Sequence, residues 1–266
     1  MCSGYTSAPM DALGKVMDSV TEDLTSVSHY HELAAVYDFV LARRYDHDRM
    51  AAFVADELPD DASTICVGGS GPGRLLALLA DRYDEVVGVD LSPAMCKIAA
   101  KRTDAEIVEA DLLEYCEQER FDGYTLLGNS IAHLPAGNIQ SFFETARTCL
   151  ASGGVIAIDF TLTETLSNGH HRSDSFRSER YRVDRSVIVT IEDRNPEALG
   201  TPARYAYSYE LTDEQTGETA TTGTSVSVRA FDPPELLGAA IRAGFIEVWL
   251  VDPPTPHGGG LLARRR

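Results

Sequence analysis

Residues 64–90 read TICVGGSGPGRLLALLADRYDEVVGVD, and this stretch decides the fold. Ile65, Cys66 and Val67 form a short apolar run bounded by turn residues, the pattern of a strand buried on both faces of a parallel sheet. Gly68, Gly69, Gly71 and Gly73 follow, so the backbone turns sharply and leaves no side chains between itself and a ligand. Leu75, Leu76, Leu78 and Leu79 give the next segment an apolar helical face. Val86, Val87 and Val89 form a second buried strand, and Asp90 stands at its carboxyl end. Open α/β sheets bind ligands at that edge, where an acid accepts hydrogen bonds from both hydroxyls of a ribose. The unit points to an adenosine-containing cofactor.

The glycine spacing narrows the choice. A dinucleotide fingerprint needs glycines at its first, third and sixth positions. Counting from Gly69 the sixth position is Arg74, from Gly71 it is Leu76, and from Gly68 the third is Ser70. A phosphate-binding loop ending Gly-Lys-Ser/Thr is missing too. What remains is G-S-G-P-G, a turn with no pyrophosphate to cradle, as suits S-adenosylmethionine. Ile107 and Val108 read as a third strand, Phe121 to Leu127 as a fourth and Val155 to Phe160 as a fifth. Asp111 follows the third strand, placed either to receive an adenine amino group or to cap a helix beginning at Leu112 and Leu113. Ser92-Pro93 starts a helix as a cap followed by proline. On that helix Met95 either faces the adenine or fills the core.

The series G-S-G-P-G, G-V-D-L-S-P-A-M, E-A-D-L-L, F-D-G-Y-T-L-L-G-N-S-I-A-H-L and L-A-S-G-G-V-I-A-I-D resembles a class I S-adenosylmethionine-dependent methyltransferase over residues 60–160. Within it, L-G-N-S-I-A-H-L-P is similar to the glycine and sarcosine N-methyltransferases and, less closely, to the sugar N-methyltransferases. The resemblance implies a Rossmann-like seven-stranded α/β sheet with helices on both faces and the last strand antiparallel. It implies that Gly69, Ser70, Gly71 and Gly73 line the methionine part of the cofactor. Asp90, with Leu91 after it, would hold the ribose, and Asp111 and Leu112 would flank the adenine. Leu127 would offer its carbonyl to the cofactor's amino group, and Asn129 would help hold the substrate. One position departs from the family: Val67 stands where an acid normally helps hold the methionine ammonium.

Composition sets the outer bounds. A chain of 266 residues with 44% apolar residues suffices for one α/β domain and a small elaboration. It contains no apolar run long enough to span a membrane, and residues 1–28 lack the pattern of a secretory signal. The cysteines, Cys2, Cys66, Cys96, Cys116 and Cys149, have no metal-ligand spacing and read as reduced residues of a cytoplasmic protein. A net charge of −18 argues against nucleic acid as a partner. Lysine occurs only at Lys15, Lys97 and Lys101, and so acidic a surface suits a cell of high internal salt. The expected partner is a small-molecule substrate, with a homo-oligomer left open.

Outside the core, residues 1–28 show little periodicity, whereas Tyr30 to Leu58 is helical in pattern. The run A-A-V-Y-D-F-V-L-A-R-R-Y resembles the N-terminal lid of small-substrate N-methyltransferases, which implies that Tyr37 and Arg43 or Arg44 approach the cofactor. Tyr181 to Glu192, Ala203 to Leu211 and Thr221 to Arg229 alternate in period two and read as three antiparallel strands. They form a small β cap inserted after the fifth strand, placed to cover a substrate. The expected organisation is an N-terminal segment with lid helices over 1–58, a cofactor-binding core over 59–165 and 231–266, and the cap over 166–230.

For chemistry, His133 follows Asn129 by four residues and is a candidate base or orienting group. The cap arginines Arg177, Arg180, Arg182 and Arg204 are candidate clamps for a substrate carboxylate, Arg177 and Arg180 foremost. Tyr205, Tyr207 and Tyr209 lie on one strand face, either lining a pocket, with Tyr205 foremost, or packing the cap. His170-His171 lies in a polar loop and is a poor metal site. The leading expectation is N-methylation of glycine, sarcosine or a similar amine. Alternatives are methyl transfer to oxygen, carbon or a sugar amine, a catalytically silent cofactor-binding module, and a nicotinamide dehydrogenase disfavoured by Arg74.

Overall fold

The computed structural model describes Tyr30 and residues 33–266; the leading residues 1–29, Cys2 among them, together with His31 and Glu32, lie outside the described residues. The chain divides into two units. One comprises Asp46–Leu166, Glu192–Pro202 and Val228–Arg266, and the other the described part of Met1–Tyr45 with Ser167–Ile191 and Ala203–Ser227.

The first is the α/β unit. Its strands are β1 (Thr64–Gly68), β2 (Glu85–Asp90), β3 (Glu106–Glu109), β4 (Phe121–Leu126), β5 (Leu150–Thr161), β10 (Glu247–Val251) and β11 (Gly258–Arg264). They form one seven-stranded sheet in the order β10-β11-β5-β4-β1-β2-β3. β1 runs parallel to both neighbours, pairing Cys66 with Val87 on one side and with Tyr124 on the other. β11 is antiparallel to β5, and β10 to β11, as the family resemblance implied. The topological switch falls between β1 and β4, so the carboxyl ends of these two strands frame the crevice in which such sheets bind ligands.

Helices α2 (His47–Glu57), α3 (Arg74–Ala80), α4 (Pro93–Ala99), α5 (Ile139–Cys149) and α6 (Pro233–Arg242) belong to this unit. α5 buries Phe142, Phe143, Ala146 and Cys149 at the three- and four-residue spacing of one helix face. Phe142 meets the ring of Tyr124 edge-on at 6.0 Å, and Phe143 meets Phe245 at 6.3 Å. At the amino edge of the sheet, the Asp122 carboxylate accepts from the backbone N–H groups of Ser63 and Thr64. Arg120 there pairs with Glu85, Glu106 and Glu117. These groups tie strand starts together on the edge opposite the glycine turn.

The second unit joins α1 (Ala34–Arg44) to an antiparallel sheet of β6 (His171–Arg177), β7 (Tyr181–Ile191), β8 (Thr201–Asp213) and β9 (Thr219–Ala230) in chain order. Leu33, Val36, Phe39 and Val40 bury against Tyr181, Val183, Tyr209 and Leu211. The cap therefore has four strands where period-two alternation indicates three. β6 escaped because it is an edge strand of sequence HRSDSFR whose residues are mostly exposed, so neither face carries an apolar period. His171 starts that strand and its Nε2 pairs with Ser186 Oγ at 2.8 Å, so it does not lie in a loop. The expected lid region also splits at Asp46, whose side chain accepts from the Arg49 N–H and caps α2. By its contacts α2 goes with the α/β unit and α1 with the cap. Among the described residues no helix is long and apolar enough to cross a membrane.

Candidate active site

The glycine turn is built as the sequence indicates. Gly69, Gly71 and Gly73 all have positive φ, at 57°, 54° and 77°. Ser70 N–H donates to the Val89 carbonyl at 3.1 Å, which fastens the turn to β2, and the Ser70 side chain is buried beneath it. Gly71 faces open space: a Cβ there would meet nothing nearer than the Gly69 carbonyl at 3.9 Å.

Asp90 reaches this turn from the end of β2. Its Oδ2 accepts the Gly71 N–H at 2.8 Å and its Oδ1 accepts the Ser92 N–H at 2.8 Å. A carboxylate oxygen accepts more than one hydrogen bond, so each retains capacity for a ligand hydroxyl. Burial pushes the Asp90 carboxyl up from its ordinary value, and the two N–H donors oppose that shift. Leu91, immediately after it, is 69% exposed and so open to a ring system. Ser92 caps α4 with Pro93 behind it.

The remaining expected residues divide. Met95 is buried on α4 at 1% exposure, the core-filling alternative. Asp111 Oδ1 accepts the Leu113 N–H at 2.9 Å, so the acid closes a local turn, with Leu112 half-buried beside it. Leu127 directly follows β4, and its carbonyl accepts the Ser130 hydroxyl at 3.0 Å. Ser130 also faces the glycine turn, since a Cβ on Gly69 would lie 2.8 Å from its Oγ. Asn129 is buried with φ at 65°; its Oδ1 accepts the Thr161 N–H at 2.9 Å and its own N–H donates to Asp159 at 2.8 Å. Its side-chain oxygen is thus engaged within the sheet edge. His133 ends a 3-10 turn, Ser130–His133. Its side chain is exposed, yet the protein mass around the ring disfavours charge and lowers its pKa to about 4. Val67 is core, at 3% exposure.

Tyr37, Arg43, Arg44, Arg177, Arg180 and Tyr205 all lie in the cap unit. Tyr37 meets Tyr30 edge-on at 5.1 Å. Arg43 stacks on Phe39 at 3.7 Å and donates to the Arg177 carbonyl at 2.8 Å, so it staples α1 to β6. Arg44 lies 3.9 Å from Asp174. Arg177 is exposed, 3.9 Å from Glu214, and Arg180 pairs with Asp213 at 2.7 Å. Both ion pairs stand at the β8–β9 hairpin. Tyr205 sits edge-on to Tyr207 at 6.3 Å, and burial pushes its pKa up to about 12. Tyr207 stacks on Tyr209 at 5.9 Å, and Tyr209 belongs to the cap core.

Sequence reading assigned no role to Asp159, although an acid between Ile158 and Phe160 in a buried apolar run is itself a signal. It is fully buried, and burial raises its pKa to about 6. The Thr255 hydroxyl and the Asn129 and Gly128 N–H groups oppose that rise, so the carboxylate is mostly ionised at neutral pH.

This arrangement, a parallel sheet with a glycine turn and an acid at the switch point, defines the class I methyltransferase fold. Residues 65–154 match the family described as methyltransferase domain. A curated relative, dTDP-3-amino-3,6-dideoxy-alpha-D-glucopyranose N,N-dimethyltransferase from Streptomyces fradiae, is 30% identical over 135 residues, 48% of this chain; the match spans 52%, about half, of that relative's length. The crystal structure of Streptomyces venezuelae DesVI superposes with a TM-score of 0.79 at 21% identity, covering 88% of this chain and 98% of that one. The sugar N-methyltransferase KedS8 from Streptoalloteichus superposes at 0.73 with 25% identity, covering 86% and 92%. The α/β unit is thus similar to a methyltransferase domain over residues 65–154, and the fold as a whole is shared with these structures.

Proposed function

We propose that the chain is an S-adenosylmethionine-dependent methyltransferase acting on a small molecule, and that its acceptor is the nitrogen of a nucleotide-linked amino sugar. The observation that carries the cofactor reading is Asp90, bonded to two backbone N–H groups beside a glycine turn with open space at Gly71. The named relatives support the sugar amine. None of the three proteins compared above is named for glycine or sarcosine, so that earlier expectation gives way.

The residues present fit the cofactor. The Asp90 oxygens would take the ribose hydroxyls, exposed Leu91 would cover the adenine, and the Leu127 carbonyl would receive the amino group. When bound, S-adenosylmethionine supplies a methyl group on a sulfonium already reactive enough for in-line displacement. The chain's task is to orient a neutral amine and exclude water. Val67 brings no charge to the ammonium, so the Leu127 carbonyl would carry that contact.

His133 is a poor proton acceptor for this purpose. An imidazole whose pKa is lowered to about 4 binds a proton only weakly at neutral pH. The amine therefore arrives neutral, and His133 orients by hydrogen bonding. His133→Gln is expected to lower kcat less than about tenfold, and the rate should rise with pH along the titration of the acceptor itself, measured by initial rates from pH 6 to 9. A loss of about a hundredfold or more would identify general-base catalysis.

Calorimetry with S-adenosylhomocysteine, followed by turnover with an amino-sugar nucleotide and with glycine, tests the whole reading. Binding without turnover on either acceptor supports the second reading, a silent cofactor-binding module, which buried Val67 motivates. Turnover on glycine alone removes the sugar acceptor, and no binding removes the cofactor.

A further inference from the structure

We propose that Asp159 is a positioning residue: its buried carboxylate locks the turn after β4 to the segment between β10 and β11, and so sets the Leu127 carbonyl at the β1–β4 crevice. The proposal rests on the cofactor reading above.

Asp159 stands near the carboxyl end of β5 with no exposed surface. Its Oδ1 accepts the Asn129 N–H at 2.8 Å, and the Gly128 N–H donates to the same carboxylate. Its Oδ2 accepts the Thr255 hydroxyl, from a residue 96 positions further along. Gly128 and Asn129 both have positive φ, at 80° and 65°. Successive N–H groups in a tight turn can converge into a concavity that binds anions, and here both point at the chain's own carboxylate. A non-glycine residue holds a left-handed conformation when its surroundings over-determine it. Asn129 is fixed twice, by its N–H on Asp159 and by its Oδ1 on the Thr161 N–H.

A buried carboxylate is a poor source of stability compared with an apolar residue of like size. What it adds is geometry: three donors from two separate segments converge on two oxygens. The residue before this concavity is Leu127, whose carbonyl accepts from Ser130, and Ser130 in turn abuts Gly69 on the opposite side of the crevice. A shift of the turn therefore moves that carbonyl relative to the glycine turn. Asn in place of Asp159 would keep one acceptor oxygen for the N–H groups and turn its NH2 to the Thr255 hydroxyl, but it would take away the charge that these donors converge on.

The test compares two ligands in calorimetry on the whole protein. S-adenosylhomocysteine carries the amino acid part that the Leu127 carbonyl would contact; 5′-methylthioadenosine lacks it. Asp159→Asn is expected to weaken S-adenosylhomocysteine by about tenfold or more and 5′-methylthioadenosine by less than about twofold. Thr255→Val, which removes one donor and leaves the charge, should show the same selectivity at about threefold and decides the matter if Asp159→Asn does not fold. Equal loss for both ligands, or loss for neither, overturns the proposal and leaves the cofactor reading intact. Failure of the unaltered protein to bind either ligand overturns the cofactor reading, and this proposal with it.

Discussion

Replacing Asp90 with alanine is expected to weaken S-adenosylhomocysteine binding about a hundredfold or more while the protein stays folded. Each Asp90 oxygen already holds one backbone N–H, and each would take one ribose hydroxyl. Hydrogen bonds to a charged acceptor contribute about 1.5–3 kcal/mol net, and about 1.4 kcal/mol is a factor of ten in affinity. Part of the loss is indirect. Without the carboxylate, the Gly71 N–H no longer has its partner, and the turn that faces the ligand is less well held. The stability effect is smaller, because removing the charge also removes the burial penalty that raises the Asp90 pKa. Calorimetry measures the affinity and thermal melting measures the fold. Unchanged affinity in a folded variant removes Asp90 from the site.

Replacing Gly73 with valine is expected to have the largest effect on stability, about 2–5 kcal/mol. The residue caps α3 with φ at 77°, a conformation that costs about 1–2 kcal/mol for a residue with a Cβ. The new Cβ would also lie 2.8 Å from the Ala99 Cβ and 3.0 Å from its Cα. Ala99 is a fully buried helical residue of α4 and cannot swing aside as a long side chain would. Overpacking of this kind adds about 1–3 kcal/mol. For a chain of this size the melting temperature should fall by about 5–15 °C. Gly71→Ala is the control. It shares the left-handed strain, with φ at 54°, but meets no close atom. Its cost should stop at about 1–2 kcal/mol in the melt, while ligand affinity falls more because the methyl group enters the open space. If Gly73→Val melts no lower than Gly71→Ala, the close approach of α3 to α4 is not what fixes glycine at this position.

The α/β half of the fold was legible because its signals are local. Strand β1, the glycine turn, α3 and β2 fall within residues 64–90, and apolar runs with glycine punctuation report them directly. The positions of Asp90 and Leu91 follow from the same register. The antiparallel direction of the last strand, β11, was not legible from periodicity; the family resemblance supplied it. The cap was half legible. β7 and β8 alternate because one face packs on α1, and β9 alternates beside them, whereas β6 is mostly exposed and has little to bury. The cap arginines show the limit of charge as a signal. Arg177 and Arg180 looked available as clamps, but Glu214 and Asp213 stand beside them once the β8–β9 hairpin forms.

The amino-acid sequence by itself determined a parallel sheet, a glycine turn and a carboxylate at the end of the second strand, since those depend on residues close together in the chain. Only the tertiary structure decided what Asn129, Asp159 and Thr255 do. Asn129 and Asp159 are 30 positions apart, and Thr255 is 96 beyond Asp159. A hydrogen bond needs its donor within about 3 Å of its acceptor, and that closeness exists only after the sheet has brought the ends of β4 and β5 and the segment before β11 to one edge.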